Sequence, residues 1–120
     1  MNTTKLVWAL MAICFVFVYS TALMAADAVQ VAPNHYKVVL ENDKVRVLEF
    51  TGKKGDKIAM HSHPNYVTYF LSDGKAKFTS DGKTIEAEMK KGETQWHAAE
   101  NHSVEILSDE AHVLIVELKQ

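Results

Sequence analysis

The sequence predicts an all-β domain, a sandwich or small barrel of eight or nine strands, and three observations carry that prediction. After residue 30 no segment sustains a helical period. Short β-prone runs recur there every eight to twelve residues, separated by turn residues. Asp-Gly parts such runs twice, at Asp73-Gly74 and Asp81-Gly82. Between β-prone runs this dipeptide is a strong hairpin signal, because both turn residues take positive φ.

The strands follow in order. Tyr36–Leu40 (YKVVL) and Val45–Phe50 (VRVLEF) are parted by Asn42-Asp43, and Gly52-Lys-Lys-Gly55 precedes Ile58–His61. Tyr66–Leu71 ends at Ser72-Asp-Gly74, and Lys75–Thr79 ends at Ser80-Asp-Gly82. Thr84–Met89 ends at Lys91-Gly92, and Thr94–His97, His102–Leu107 and Val113–Leu118 complete the set. Alternation is cleanest in Lys75-Ala-Lys-Phe-Thr79 and Thr84-Ile-Glu-Ala-Glu-Met89, which predicts one wet face for each.

A hydrophobic segment precedes this domain. Behind Lys5, Leu6 to Tyr19 runs fourteen residues without a polar side chain, and small residues follow through Ala28. This is the pattern of a signal peptide over residues 1–26, cut within 22–28. Ala26-x-Ala28 is the cleanest small-x-small site and Ser20-x-Ala22 a weaker one. The alternative is an uncleaved anchor, since Leu6 to Ala26 is broken only by Ser20 and Thr21 and nearly spans a bilayer. Either way the domain, residues 33–120, is expected to be secreted or periplasmic, free of the membrane once the leader is cut.

Beyond residue 26, twelve Lys and Arg face fifteen Asp and Glu. That mild acidity argues against a nucleic-acid partner, which requires a basic stripe. The sole cysteine, Cys14, lies in the hydrophobic segment, so the domain has no disulfide, cysteine nucleophile or iron–sulfur cluster. Roughly 94 residues without disulfides make a small core. A bound metal or a homodimer partner would add stability.

All six histidines lie in the domain. In His61-Ser62-His63 the residues i and i+2 of an extended chain share a face. Two imidazoles so placed can reach one ion at about 2.0–2.1 Å. Pro64 biases His63 toward an extended backbone. On the pair alone, two solvated strand-end histidines are the favoured reading.

The surroundings add a resemblance. The spacing of Gly55, His61, His63, Val67 and Gly74 resembles the first motif of the cupin superfamily, in which Val67's position usually holds a metal-binding glutamate. A degraded second motif follows, with Gly92 in place and His102 one residue early. Ala98 stands for its proline, Glu100 for its glycine and Ile106 for its asparagine. Trp96-His-Ala-Ala-Glu-Asn-His102 is similar to a variant in small secreted single-domain cupins. The resemblance covers roughly residues 36 to 118 and implies a double-stranded β-helix, the jelly-roll barrel. It also implies one divalent metal ion on His61, His63 and His102, with Fe, Zn, Mn, Ni and Cu not distinguished. Val67 cannot coordinate, and Thr68 beside it is a poor substitute.

Other residues are weaker candidates. Val67 and Tyr69 share a strand face and are expected to line the pocket with Trp96 and His97. His97 is a candidate proton relay and Glu100 a candidate orienting group or base, each with surface exposure as the alternative. Met60 invites a copper reading but points away from His61 and His63. His35 and His112 have no sequence partners. The resemblance implies a metal-dependent enzyme acting on a small oxygen-bearing molecule, with dioxygenation leading. The alternative is a non-catalytic module that binds a small ligand or metal ion.

Overall fold

A computed structural model describes residues 24–120. Residues 1–23, most of the predicted leader, lie outside the described residues. One short helix, α1 (Ala28–Val31), precedes nine strands: β1 (Tyr36–Glu41), β2 (Val45–Lys53), β3 (Lys57–His63), β4 (Tyr66–Phe70), β5 (Gly74–Ser80), β6 (Lys83–Met89), β7 (Thr94–His97), β8 (Glu100–Ile106) and β9 (Glu110–Leu118). They form two facing antiparallel sheets, ordered β1-β2-β9-β4-β7 and β3-β8-β5-β6. The prediction of an all-β jelly-roll barrel therefore holds.

Alternation along each strand sets what lies between the sheets. On β9 the inward residues Ala111, Val113, Ile115 and Glu117 are buried while the residues between them are half-buried. Leu48 and Phe50 of β2, Ile58 of β3 and Ile106 of β8 join them in one core. At one seam of the barrel α1 packs against β3 and β1. At the other, β6 and β7 are sheet edges not bonded to each other.

The folded body begins before Pro33. Asp27 caps α1 by accepting from Val29 N at 3.1 Å. Ser62 N, between the two histidines of β3, donates to Ala26 O at 2.9 Å, and Asp27 forms a parallel bridge with Ser62. Ala25 N donates to Asn101 Oδ1 at 3.1 Å. Residues 25–27 thus lie along the outside of β3 where it carries His61 and His63.

The two Asp-Gly pairs behave differently. Asp81-Gly82 is a tight hairpin: Ser80 faces Lys83, and Asp81 and Gly82 have φ of 50° and 73°. Asp73-Gly74 is no hairpin, because β4 pairs with β7 and β9 while β5 pairs with β6 and β8. That turn carries the chain from one sheet to the other, and Gly74 has no positive φ. Local turn chemistry is the same in both; which strand lies alongside is decided by the whole barrel. Gly82→Ala is expected to cost about 1–2 kcal/mol, since a Cβ disfavours the left-handed region. Gly74→Ala should cost less than about 0.5 kcal/mol, its Cβ meeting only ordinary contacts. Denaturant melts of both variants check this, and equal costs would contradict it.

Candidate metal centre

Antiparallel pairing of β3 with β8 sets His61 directly opposite His102, and His63 follows two residues on along the inward face. All three are buried, at 0%, 1% and 6% exposure. One ring nitrogen from each lies within 4.8 Å of the others. The rings meet edge to face, with centroids 4.7 to 5.1 Å apart. The sequence-predicted ligand set is therefore assembled, from two neighbouring strands of the four-stranded sheet.

The other ring nitrogen of each histidine is held by an oxygen acceptor. His61 Nδ1 lies 2.8 Å from Ala59 O, His63 Nδ1 2.8 Å from Glu117 Oε2, and His102 Nδ1 3.0 Å from Glu100 Oε1. A carbonyl or carboxylate oxygen can only accept, so each Nδ1 carries the proton and donates. Each Nε2 keeps its lone pair for the interior. His61 Nε2 and His63 Nε2 are 3.1 Å apart. At a metal–nitrogen distance of ~2.1 Å, such a pair subtends about 95° at one ion. Burial depresses the His61 pKa to about 4, with the bond to Ala59 opposing and His102 and His63 adding to the fall. His61 is thus neutral, the form a metal requires.

The orienting carboxylates are themselves held. Glu117 is 1% exposed and lies opposite Arg46 in the β2–β9 ladder. Arg46 Nε donates to Glu117 Oε1 at 2.7 Å, and the guanidinium also pairs with Asp27. Burial would raise the Asp27 carboxyl, but Arg46 and the bond from Val29 bring it below the usual range. A chain of charge-assisted bonds thus runs from Asp27 through Arg46 and Glu117 to His63. Glu100 accepts from both the Tyr66 hydroxyl and His102 Nδ1. Chiefly the His102 bond, against the cost of burial, depresses its pKa to about 2 and keeps it ionised. The Tyr36 hydroxyl, kept protonated by burial and by Glu117, donates to His61 Nε2 at 3.0 Å.

The predicted pocket divides. His97 lines the cavity, half-buried and stacked on Tyr66 at 4.5 Å between centroids, with Nε2 3.4 Å from Thr68 Oγ1. Burial lowers its pKa. Val67, Tyr69 and Trp96 do not line it. Val67 lies opposite Trp96 on the outer face of the five-stranded sheet, and Tyr69 and Trp96 are 44% and 59% exposed. Tyr66, Thr68 and Gln95 line the cavity instead. The pairing of Val67 with Tyr69 on one face is correct, but the face is the other one. The turn at Pro64-Asn65 moves the chain between sheets, so the inward parity of β3 does not carry into β4.

Glu117, Arg46, Asp27, Tyr36 and Tyr66 were not singled out by sequence. A signal was present for two of them: Arg46 shares its face with Leu48 and Phe50, and Glu117 with Val113 and Ile115. A charge at an inward position requires a partner. His35 and His112 lie away from the centre, on Asp56 and Thr51 and on Glu49. Met60 is 43% exposed on the opposite face, as expected.

Two outcomes are expected. Glu117→Gln should weaken zinc affinity about 10–100-fold by releasing the orientation of His63, with the metal-free protein still folded by circular dichroism. Unchanged affinity would mean Glu117 does not orient the ligand. Val67→Glu should leave metal affinity unchanged within about twofold, since no outward carboxylate reaches an inward ion. A tightening in the same titration would contradict that placement.

The sequence matches no protein-family model and no curated protein. Solved structures do match its fold. A cupin domain protein of Bordetella pertussis is 19% identical, covering 82% of this chain and 99% of that one at a TM-score of 0.66. A cupin superfamily protein of Desulfitobacterium hafniense is 15% identical over 71% and 76%, TM-score 0.55. A predicted oxalate decarboxylase of Thermotoga maritima is 20% identical over 71% and 79%, TM-score 0.54.

Proposed function

We propose that this chain, which has the cupin fold, is an extracytoplasmic metal-binding protein. Its His61, His63 and His102 centre acts on a small oxygen-bearing molecule, with dioxygenation as the reaction class. One observation carries the reading: all three imidazoles are buried and have Nδ1 bound to oxygen, so their Nε2 lone pairs face one point. Such orientation of ligands by outer acceptors is the habit of metal centres. One divalent ion held there supplies Lewis-acid or dioxygen-binding chemistry. Imidazole suits Fe, Zn, Ni and Cu and admits Mn, so the donor set does not choose among them.

This chain's own residues supply the rest. Three protein ligands leave coordination positions open for a ligand's oxygens. The Tyr36 hydroxyl, beside His61 Nε2 and kept protonated, is a hydrogen-bond donor for an oxygen bound there. The non-catalytic binding module has one observation in its favour: Oε1 of Glu100, the acid nearest His102, is already committed to Tyr66 and His102. The leader-like run of Leu6 to Tyr19 behind Lys5 supports a secreted or periplasmic location. Homodimer formation fits the outer sheet face, where Leu40, Val47, Val116, Val67 and Trp96 follow one another in register across five strands.

Elemental analysis of tag-free protein from its native compartment, beside His61→Ala, tests the reading. We expect close to one equivalent of metal in the wild type and none in the variant. Oxygen consumption by the loaded protein with candidate substrates then separates enzyme from binder. No metal in either sample, or equal metal in both, would sink the centre.

A further inference from the structure

The barrel interior has a direction. Inward from His102 on β8 come Val104 and Ile106; on the antiparallel β9, Glu117 gives way to Ile115 and Val113. On β6 the inward series begins at Lys83 and ends at Met89. Phe50, Phe70 and Met89 line the end away from the histidines. The strands alternate direction, yet their inward residues turn apolar toward the same end. Between them lies a cavity of about 310 Å³, room for about ten waters at ~30 Å³ each. It reaches solvent at the β6–β7 seam, where lining residue Ile85 is 62% exposed.

This gradient restricts what fits. A sugar laid along the cavity would bury hydroxyls against Val104, Ile106 and Met89, which offer no hydrogen bond. A phosphate would find only Lys83, the one cationic side chain among the described residues that line the cavity. A two-carbon dicarboxylate would leave the apolar end unfilled. His102 and Ile106 are four residues apart, about 13 Å of strand, which accommodates a metal-binding head and a chain of about six carbons.

We propose that the cavity's ligand is a compact amphiphile. It carries a bidentate oxygen head, of the keto-acid, enolate or hydroxamate kind, on an unsubstituted aliphatic or aromatic body of about six carbons. The head lies at His61, His63 and His102, and the body points toward Phe70 and Met89. The head's placement rests on the metal-binding reading above; the body's rests on the cavity alone.

Calorimetric titration of the zinc-loaded protein with acetohydroxamate, butanohydroxamate, hexanohydroxamate and gluconohydroxamate tests this. Affinity should rise about fourfold per methylene, roughly 250-fold from the two-carbon to the six-carbon probe. Gluconohydroxamate, as long but hydroxylated, should bind no tighter than acetohydroxamate. Ala87→Phe, which fills the cavity from β6, should erase the gain with chain length and spare acetohydroxamate. Affinity flat with length, or gluconohydroxamate binding tightest, would overturn the proposal. The same series on metal-free protein separates the two readings. A length dependence indifferent to zinc overturns the metal centre and keeps the apolar body. Zinc-dependent binding indifferent to length does the reverse, and no binding in either form overturns both.

Discussion

Everything at this site depends on where three imidazole protons sit. A neutral imidazole has one N–H and one lone pair, and the hydrogen bond at one nitrogen decides the role of the other. Here a backbone carbonyl and two carboxylates take the Nδ1 protons of His61, His63 and His102. Three lone pairs are thereby directed at one point inside a small barrel. Two of the acceptors are charged, and one of those, Glu117, is almost wholly buried. A carboxylate so placed is tolerated only with a cation beside it. Arg46 is that cation, and its own half-buried charge is balanced by Asp27, ahead of α1. Orientation of His63 thus reaches back to the first residues of the folded body. Those residues also bond to Ser62, between the two histidines of β3. A cut after Ala28 would remove Asp27 and Ala26 together, whereas a cut nearer residue 22 would spare both.

Much of this was legible in the sequence, for reasons that can be stated residue by residue. The His61-x-His63 pair was readable because a strand has a period of two and both side chains stay on one face. His102 was readable only through spacing, since its approach to His61 depends on β8 lying beside β3. Parity failed at Val67: it is preserved along one strand but reset by the turn at Pro64-Asn65, so Thr68 and not Val67 faces inward. Asp73-Gly74 failed for a related cause, since a dipeptide sets a turn's backbone but not the sheet its strands join. Glu117 and Arg46 were visible as charges on apolar faces. That they answer one another required knowing that β2 and β9 are neighbours, 71 residues apart in sequence.

Val67, where the resembled motif has a glutamate, takes on a different meaning in the folded chain. Acids stand nearby as Glu117 and Glu100, bonded to Nδ1 of His63 and His102. Neutral imidazoles would leave the charge of a bound dication for that ion's ligand to meet, which would favour an anionic oxygen head. The apolar floor favours whatever that head carries. Chelation and burial then act on opposite ends of one molecule, and neither alone makes the site selective.

Nitrogen NMR reads the imidazole protons directly. In uniformly ¹⁵N-labelled metal-free protein at neutral pH, the two-bond ¹⁵N–¹H pattern distinguishes the tautomers of His61, His63 and His102. We expect Nδ1–H and a bare Nε2 for all three, with each Nε2 shifting on addition of one equivalent of zinc while each Nδ1 keeps its proton. An Nε2–H tautomer in any of the three, or Nε2 resonances unmoved by zinc, would contradict it.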